Sequence, residues 1–131
     1  MRYIILLLCL TSCGPVCSKD PGLYSLLTQF VQEFDIDPNN VCDMHYGSLE
    51  PDVQLGVAET APLYRCDITI VPNQLPRTNR AVVYHEILHC VGYEHVDNPD
   101  SLMYYQAKDE HYYKVHWAEL MEGVHEVLLV R

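Results

Sequence analysis

Basic side chains are scarce in this chain: eight Lys and Arg stand against eighteen Asp and Glu, a formal net charge of −10. So acidic a surface repels phosphate backbones and anionic membrane surfaces alike, which argues against nucleic acid and against direct membrane adsorption. Long apolar runs are missing as well. The stretch from Tyr3 to Leu10 is only eight residues, far short of the roughly 20 that a bilayer-spanning helix needs. Among Cys17, Cys42, Cys66 and Cys90 there is no close Cys-x-x-Cys pair of the kind a thiolate zinc site uses. Internal repeats, low-complexity tracts and a long linker are absent too. What remains is 131 residues, 49% of them hydrophobic, enough for one compact core and too apolar for a disordered tail.

The N-terminus stands apart from that domain. Arg2 gives a minimal positive start to the Tyr3–Leu10 run, which suits the core of a signal peptide over residues 1–12. Leu10-Thr11-Ser12-Cys13 then resembles the lipobox of bacterial lipoproteins. That resemblance implies cleavage before Cys13 and lipidation of its thiol, with residues 13–19 as a short linker. Gly14 after it, rather than Asp, points to the outer membrane in a Gram-negative host. The expected destination is therefore the cell envelope, with the lipid at Cys13 as the sole membrane contact, or else plain secretion. Setting aside Cys9 and Cys13 leaves Cys17, Cys42, Cys66 and Cys90. Four cysteines in a small exported domain suit two disulfides, in any of three connectivities, with buried thiols as the alternative.

From Asp20 onward the chain reads as α+β. Asp20-Pro21 starts a helix as cap and first residue, and Leu23, Leu26, Leu27, Phe30, Val31 and Phe34 form one apolar stripe along it. Strand patterns follow at Val41–Tyr46, Val53–Ala58 and Cys66–Val71. A helix capped near Thr78 or Asn79 and ending at Val91 is apolar nearly all round, hence central and buried. A last helix runs from about Asp109 to Leu129.

The chemistry lies in His85-Glu86-Ile87-Leu88-His89-Cys90-Val91-Gly92-Tyr93-Glu94-His95. Four residues advance a helix by about 400°, so His85 and His89 share one face and can share one metal ion. Glu86 sits about 100° round from His85, able to reach a water on the metal as a general base without being a ligand. Gly92 tolerates positive φ, so the helix can end there and the chain swing back to offer His95 as a third ligand. Three His leave a fourth coordination position open, as a catalytic zinc requires. His45, His111, His116 and His125 have no partner spacing and read as solvated.

The pattern His85-Glu86-x-x-His89-x-x-Gly92-x-x-His95 resembles the zinc-binding consensus of the metzincin metallopeptidases, and Ala81–Tyr105 is most similar to the matrixin branch. The resemblance implies a small metzincin-like domain over residues 20–131. Its expected parts are a short twisted mixed sheet with a packing helix, a central zinc-binding helix, a Met-turn and a C-terminal helix. Ser101-Leu102-Met103-Tyr104 resembles that Met-turn, with Met103 supporting the site. Tyr105 stands at the offset where astacins and serralysins place a tyrosine that helps hold the reacting oxyanion. The cysteine-switch latency motif is absent. The implied activity is that of a monomeric zinc endopeptidase with one catalytic Zn2+, acting on a peptide or protein substrate with Glu86 as general base. A non-catalytic zinc-bearing lipoprotein that binds a peptide or metal is the alternative.

Overall fold

A computed structural model describes residues 17–49, 55–61 and 65–129. The expected signal peptide and Cys13 lie outside the described residues. Helix α1, Pro21–Phe34, begins where the sequence places it: the Asp20 carboxylate accepts the backbone N–H groups of Gly22 and Leu23, at 2.9 and 3.3 Å. It buries Leu23, Leu27, Phe30 and Phe34, every third or fourth residue. It closes on Asp35 in the left-handed region, φ 52°, whose N–H returns to the Val31 carbonyl.

Three strands follow: β1 Val41–Tyr46, β2 Gly56–Ala61 and β3 Arg65–Ile70. They form a mixed sheet in the order β1-β3-β2, with β3 parallel to β1 and antiparallel to β2. Along β3, Cys66, Ile68 and Ile70 are fully buried and alternate with Arg65, Asp67 and Thr69. In β1 an irregularity lets Val41 oppose Cys66 while Met44 opposes Ile68, three residues against two. That extra residue is why Val41 and Met44 can both be buried despite their odd separation. The other sheet face is polar, with Arg65 paired to both Asp43 and Asp67.

The outer edge of β1 is covered at its middle. The Asp20 N–H bonds the Met44 carbonyl and the Met44 N–H bonds the Ser18 carbonyl, at 2.9 and 3.0 Å. Residues 17–19, grouped in the sequence with the linker, are thereby fastened to the sheet, and the Cys17–Cys42 disulfide fastens them covalently. The outer edge of β2 pairs with no strand among the described residues. The sequence pattern places this strand at Val53–Ala58, but pairing to β3 starts only at Gly56, and residues 50–54 lie outside the described residues.

Helix α2, Pro76–Val91, is central: nine of its residues are buried, from Thr78 to Cys90. It begins earlier than Thr78 or Asn79, because its start is capped from elsewhere. Leu75 occupies the cap without a side-chain hydrogen bond. The Glu110 carboxylate, at the start of α3, accepts the N–H groups of Arg77 and Thr78 and the Thr78 hydroxyl. Those donors have no partner within the helix. They hold the Glu110 carboxyl below its ordinary range. Helix α3, Glu110–Leu129, starts on Asp109, whose carboxylate accepts the Tyr112 N–H at 2.8 Å. Phe30, Phe34, Tyr84 and Trp117 join the three helices, with ring centroids 4.8–6.0 Å apart. No helix among the described residues is long and apolar enough to cross a membrane.

Candidate metal centre

Helix α2 carries His85 and His89 one turn apart, with His85 partly buried and close to the core. Its last turn closes on Gly92, at φ 108°. The Gly92 N–H bonds the His89 carbonyl and the Tyr93 N–H bonds the Leu88 carbonyl, both at 3.0 Å. This pair of bonds is the Schellman closure that a left-handed glycine permits. The chain then doubles back, and the Val96 N–H is tied to the Met103 carbonyl at 3.1 Å. His95 is thereby returned to the helix face. The three Nε2 atoms stand 3.1 Å (His85–His89), 3.1 Å (His85–His95) and 3.2 Å (His89–His95) apart.

Those distances cannot all be hydrogen bonds. His85 Nδ1 lies 2.7 Å from the Leu102 carbonyl, and His89 Nδ1 lies 2.7 Å from the Tyr93 carbonyl. A carbonyl only accepts, so each Nδ1 carries the ring proton and each Nε2 presents a lone pair. Two lone pairs facing at 3.1 Å repel unless a cation lies between them. Burial holds His85 near a pKa of about 4, so its ring is neutral, and burial lowers His89 as well. The separations are close to the roughly 3.3 Å between nitrogens that share a tetrahedral ion at about 2.0 Å. The triad can hold a metal ion. Leu102 and Tyr93 act through backbone carbonyls, so no side-chain signal in the sequence marks either one.

Glu86 is 6% exposed, and burial raises its carboxyl to about 7. The Ala58 N–H on β2 faces it and pulls in the opposite direction. Strand and helix come this close because residue 56 is glycine. A Cβ there would stand 2.9 Å from Val82 Cγ1, 3.0 Å from Glu86 Cγ and 3.1 Å from Ile70 Cδ1. Gly56→Ala is therefore expected to push β2 from α2 at a cost of about 1–3 kcal/mol, read by urea unfolding. A variant as stable as the parent would show that the two elements part without strain.

The triad and Glu86 line one cleft of about 1010 Å³, between β2 on one side and residues 101–108 on the other. In that second wall the Tyr104 N–H bonds the Ser101 carbonyl at 3.1 Å, closing a tight turn, and Met103 within it is buried. The turn meets the triad through the Leu102 carbonyl. Tyr105 is 67% exposed on the cleft wall, its ring 4.6 Å from that of Tyr104.

Of the cysteines, Cys17 pairs with Cys42 and Cys66 with Cys90, which selects one of the three connectivities. The Asn40 amide adds a 2.8 Å bond to the Cys90 carbonyl at the end of α2. Sequence reading passes over Asn40 because its partner lies 50 residues away. The fold and site define a small α+β domain with a three-histidine centre that can hold a metal. Comparison with known protein families, characterised proteins and solved structures finds no match to this chain.

Proposed function

We propose that the chain is a zinc-dependent endopeptidase of the metzincin type, with Glu86 as its general base. One observation carries this reading. A buried carboxyl group, engaged in no ion pair among the described residues, shares a cleft with three facing imidazoles. Neither metal binding nor helix packing requires an acid at that position, whereas proton transfer does.

Three imidazoles without a thiolate suit zinc, and the second nitrogens of His85 and His89 are held by carbonyl acceptors, as those of zinc ligands usually are. When bound, zinc supplies Lewis acidity, lowering the pKa of a water toward neutrality and polarising the carbonyl under attack. His85, His89 and His95 would hold it, with Gly92 shaping the turn that brings His95 back. Glu86 takes a proton from the attacking water and passes it to the departing amine nitrogen, so the C–N bond breaks with a neutral leaving group. An extended peptide can add to the outer edge of β2, opposite residues 104–108 across the cleft. Met103 supports the site from within its turn. Tyr105, at the offset of the astacin and serralysin tyrosine, is the hydroxyl donor for the oxyanion.

Two disulfides fit an oxidising, extracytoplasmic setting. A lipid on Cys13 would leave three residues, Gly14 to Val16, before the disulfide at Cys17, and the four steps from one cysteine to the other reach roughly 14 Å. The domain would then work against the membrane surface, on envelope or membrane-proximal proteins.

Incubation of the oxidised, zinc-loaded chain with a mixed peptide library should give internal cleavage that a chelator stops and added zinc restores. Silence, with one zinc held tightly per chain, would leave the non-catalytic zinc-binding lipoprotein as the reading.

A further inference from the structure

We infer that the Cys66–Cys90 disulfide positions the metal centre, so that metal affinity is coupled to the oxidation state of this one bond. The inference rests on the metal-binding part of the function proposed above, and adds to it a means of regulation.

Cys90 directly follows His89 in the last turn of α2. Its partner, Cys66, lies fully buried on the central strand β3. The groups that aim two of the three ligands depend on this turn. His89 bonds the Tyr93 carbonyl, the Gly92 closure bonds the Leu88 and His89 carbonyls, and from there the chain returns to His95. Besides the disulfide, Asn40 bonds the Cys90 carbonyl from the turn just before β1. The Cys17–Cys42 disulfide instead ties the N-terminal segment to β1, which carries no ligand.

Sequence separations of 25 residues for Cys17–Cys42 and 24 for Cys66–Cys90 make the two bonds nearly equal in loop closure. A difference in their effect on metal binding therefore reports position, not general stability. With the bond broken, the last turn is free to fray, and the Nε2 atoms lose their fixed separation. Breaking it requires a dithiol reductant. One thiolate attacks a cysteine sulfur to give a mixed disulfide, and the second closes the reductant's ring. Two electrons pass to the protein, and two protons end on Cys66 and Cys90 as thiols. In a reducing compartment the chain would hold metal poorly, and oxidation on export would complete the centre.

The test uses the full chain with Zn2+ alone as the probe. Zinc affinity is measured by chelator competition for the parent, for Cys66→Ala/Cys90→Ala and for Cys17→Ala/Cys42→Ala, with far-UV circular dichroism checking the fold. The first pair removes both thiols, so neither can serve as a substitute ligand. Expected is a loss of about 10- to 100-fold for the Cys66/Cys90 pair, the range seen when groups supporting metal ligands are removed. The Cys17/Cys42 pair should change affinity by less than about two-fold. Equal losses in both pairs, or none in a folded Cys66/Cys90 variant, would overturn the inference. Zinc that never binds the parent would instead overturn the metal reading itself.

A reciprocal measurement needs no variant, and it decides alone where the Cys66/Cys90 pair does not fold. Coupling between two sites is symmetric. Zinc, held at fixed free concentration by a metal buffer, should shift the dithiothreitol reduction equilibrium of Cys66–Cys90 toward the disulfide and leave Cys17–Cys42 unmoved. Alkylation and mass spectrometry assign the two bonds. A zinc effect that is absent, or the same at both bonds, refutes the coupling.

Discussion

His89→Ala is expected to weaken zinc binding by about 10²- to 10³-fold. Structural zinc sites with four ligands bind with roughly 10–16 kcal/mol at neutral pH, hence about 2.5–4 kcal/mol per ligand, at 1.4 kcal/mol for each factor of ten. His89 is the better of the two helical histidines for this test, because it is less deeply set in the core than His85. A ligand that binds only the folded chain stabilises it by about 2.7 kcal/mol at 100 times its Kd. In a domain of this size that raises the melting temperature by about 10 °C. The parent should show such a rise on zinc addition, and His89→Ala at the same zinc concentration should show nearly none. An equal rise in both proteins would place the metal elsewhere.

Local chemistry was legible in the sequence wherever its partners lie within about one helical turn. Asp20-Pro21 announces the start of α1 because the cap bonds only two and three residues ahead. His85, His89, Gly92 and His95 announce the centre because helix periodicity and one positive φ suffice to converge them. What escaped depends on distant segments. The beginning of α2 is determined by Glu110, more than 30 residues later, so the capping side chains near Thr78 do not mark its start at Pro76. Strand β2 is set by its pairing to β3 and by the approach that Gly56 allows to Glu86, neither of which a two-residue period encodes. The disulfide pairing was open for the same reason. It follows from which strand lies beside the end of α2, a property of the assembled sheet and not of cysteine spacing.

The metal reading leaves the reaction to be decided, and Glu86→Gln decides it. The substitution preserves the shape of the side chain and an oxygen to face the Ala58 N–H, and it removes the ability to take up a proton. For a general base, kcat/KM should fall by about 10²- to 10⁴-fold, with zinc affinity within a few-fold of the parent. Stability should move the other way. A carboxyl group only 6% exposed is costly to ionise where it lies, as its raised pKa reflects. A neutral amide avoids that cost, so the variant should melt at the same temperature as the parent or higher. Opposite signs for activity and stability mark a residue kept for function at the expense of the fold. A structural role predicts the reverse, with lower stability and catalysis lost only in proportion to folded protein. Cleavage retained within ten-fold of the parent would remove Glu86 from the mechanism and require another base in the cleft.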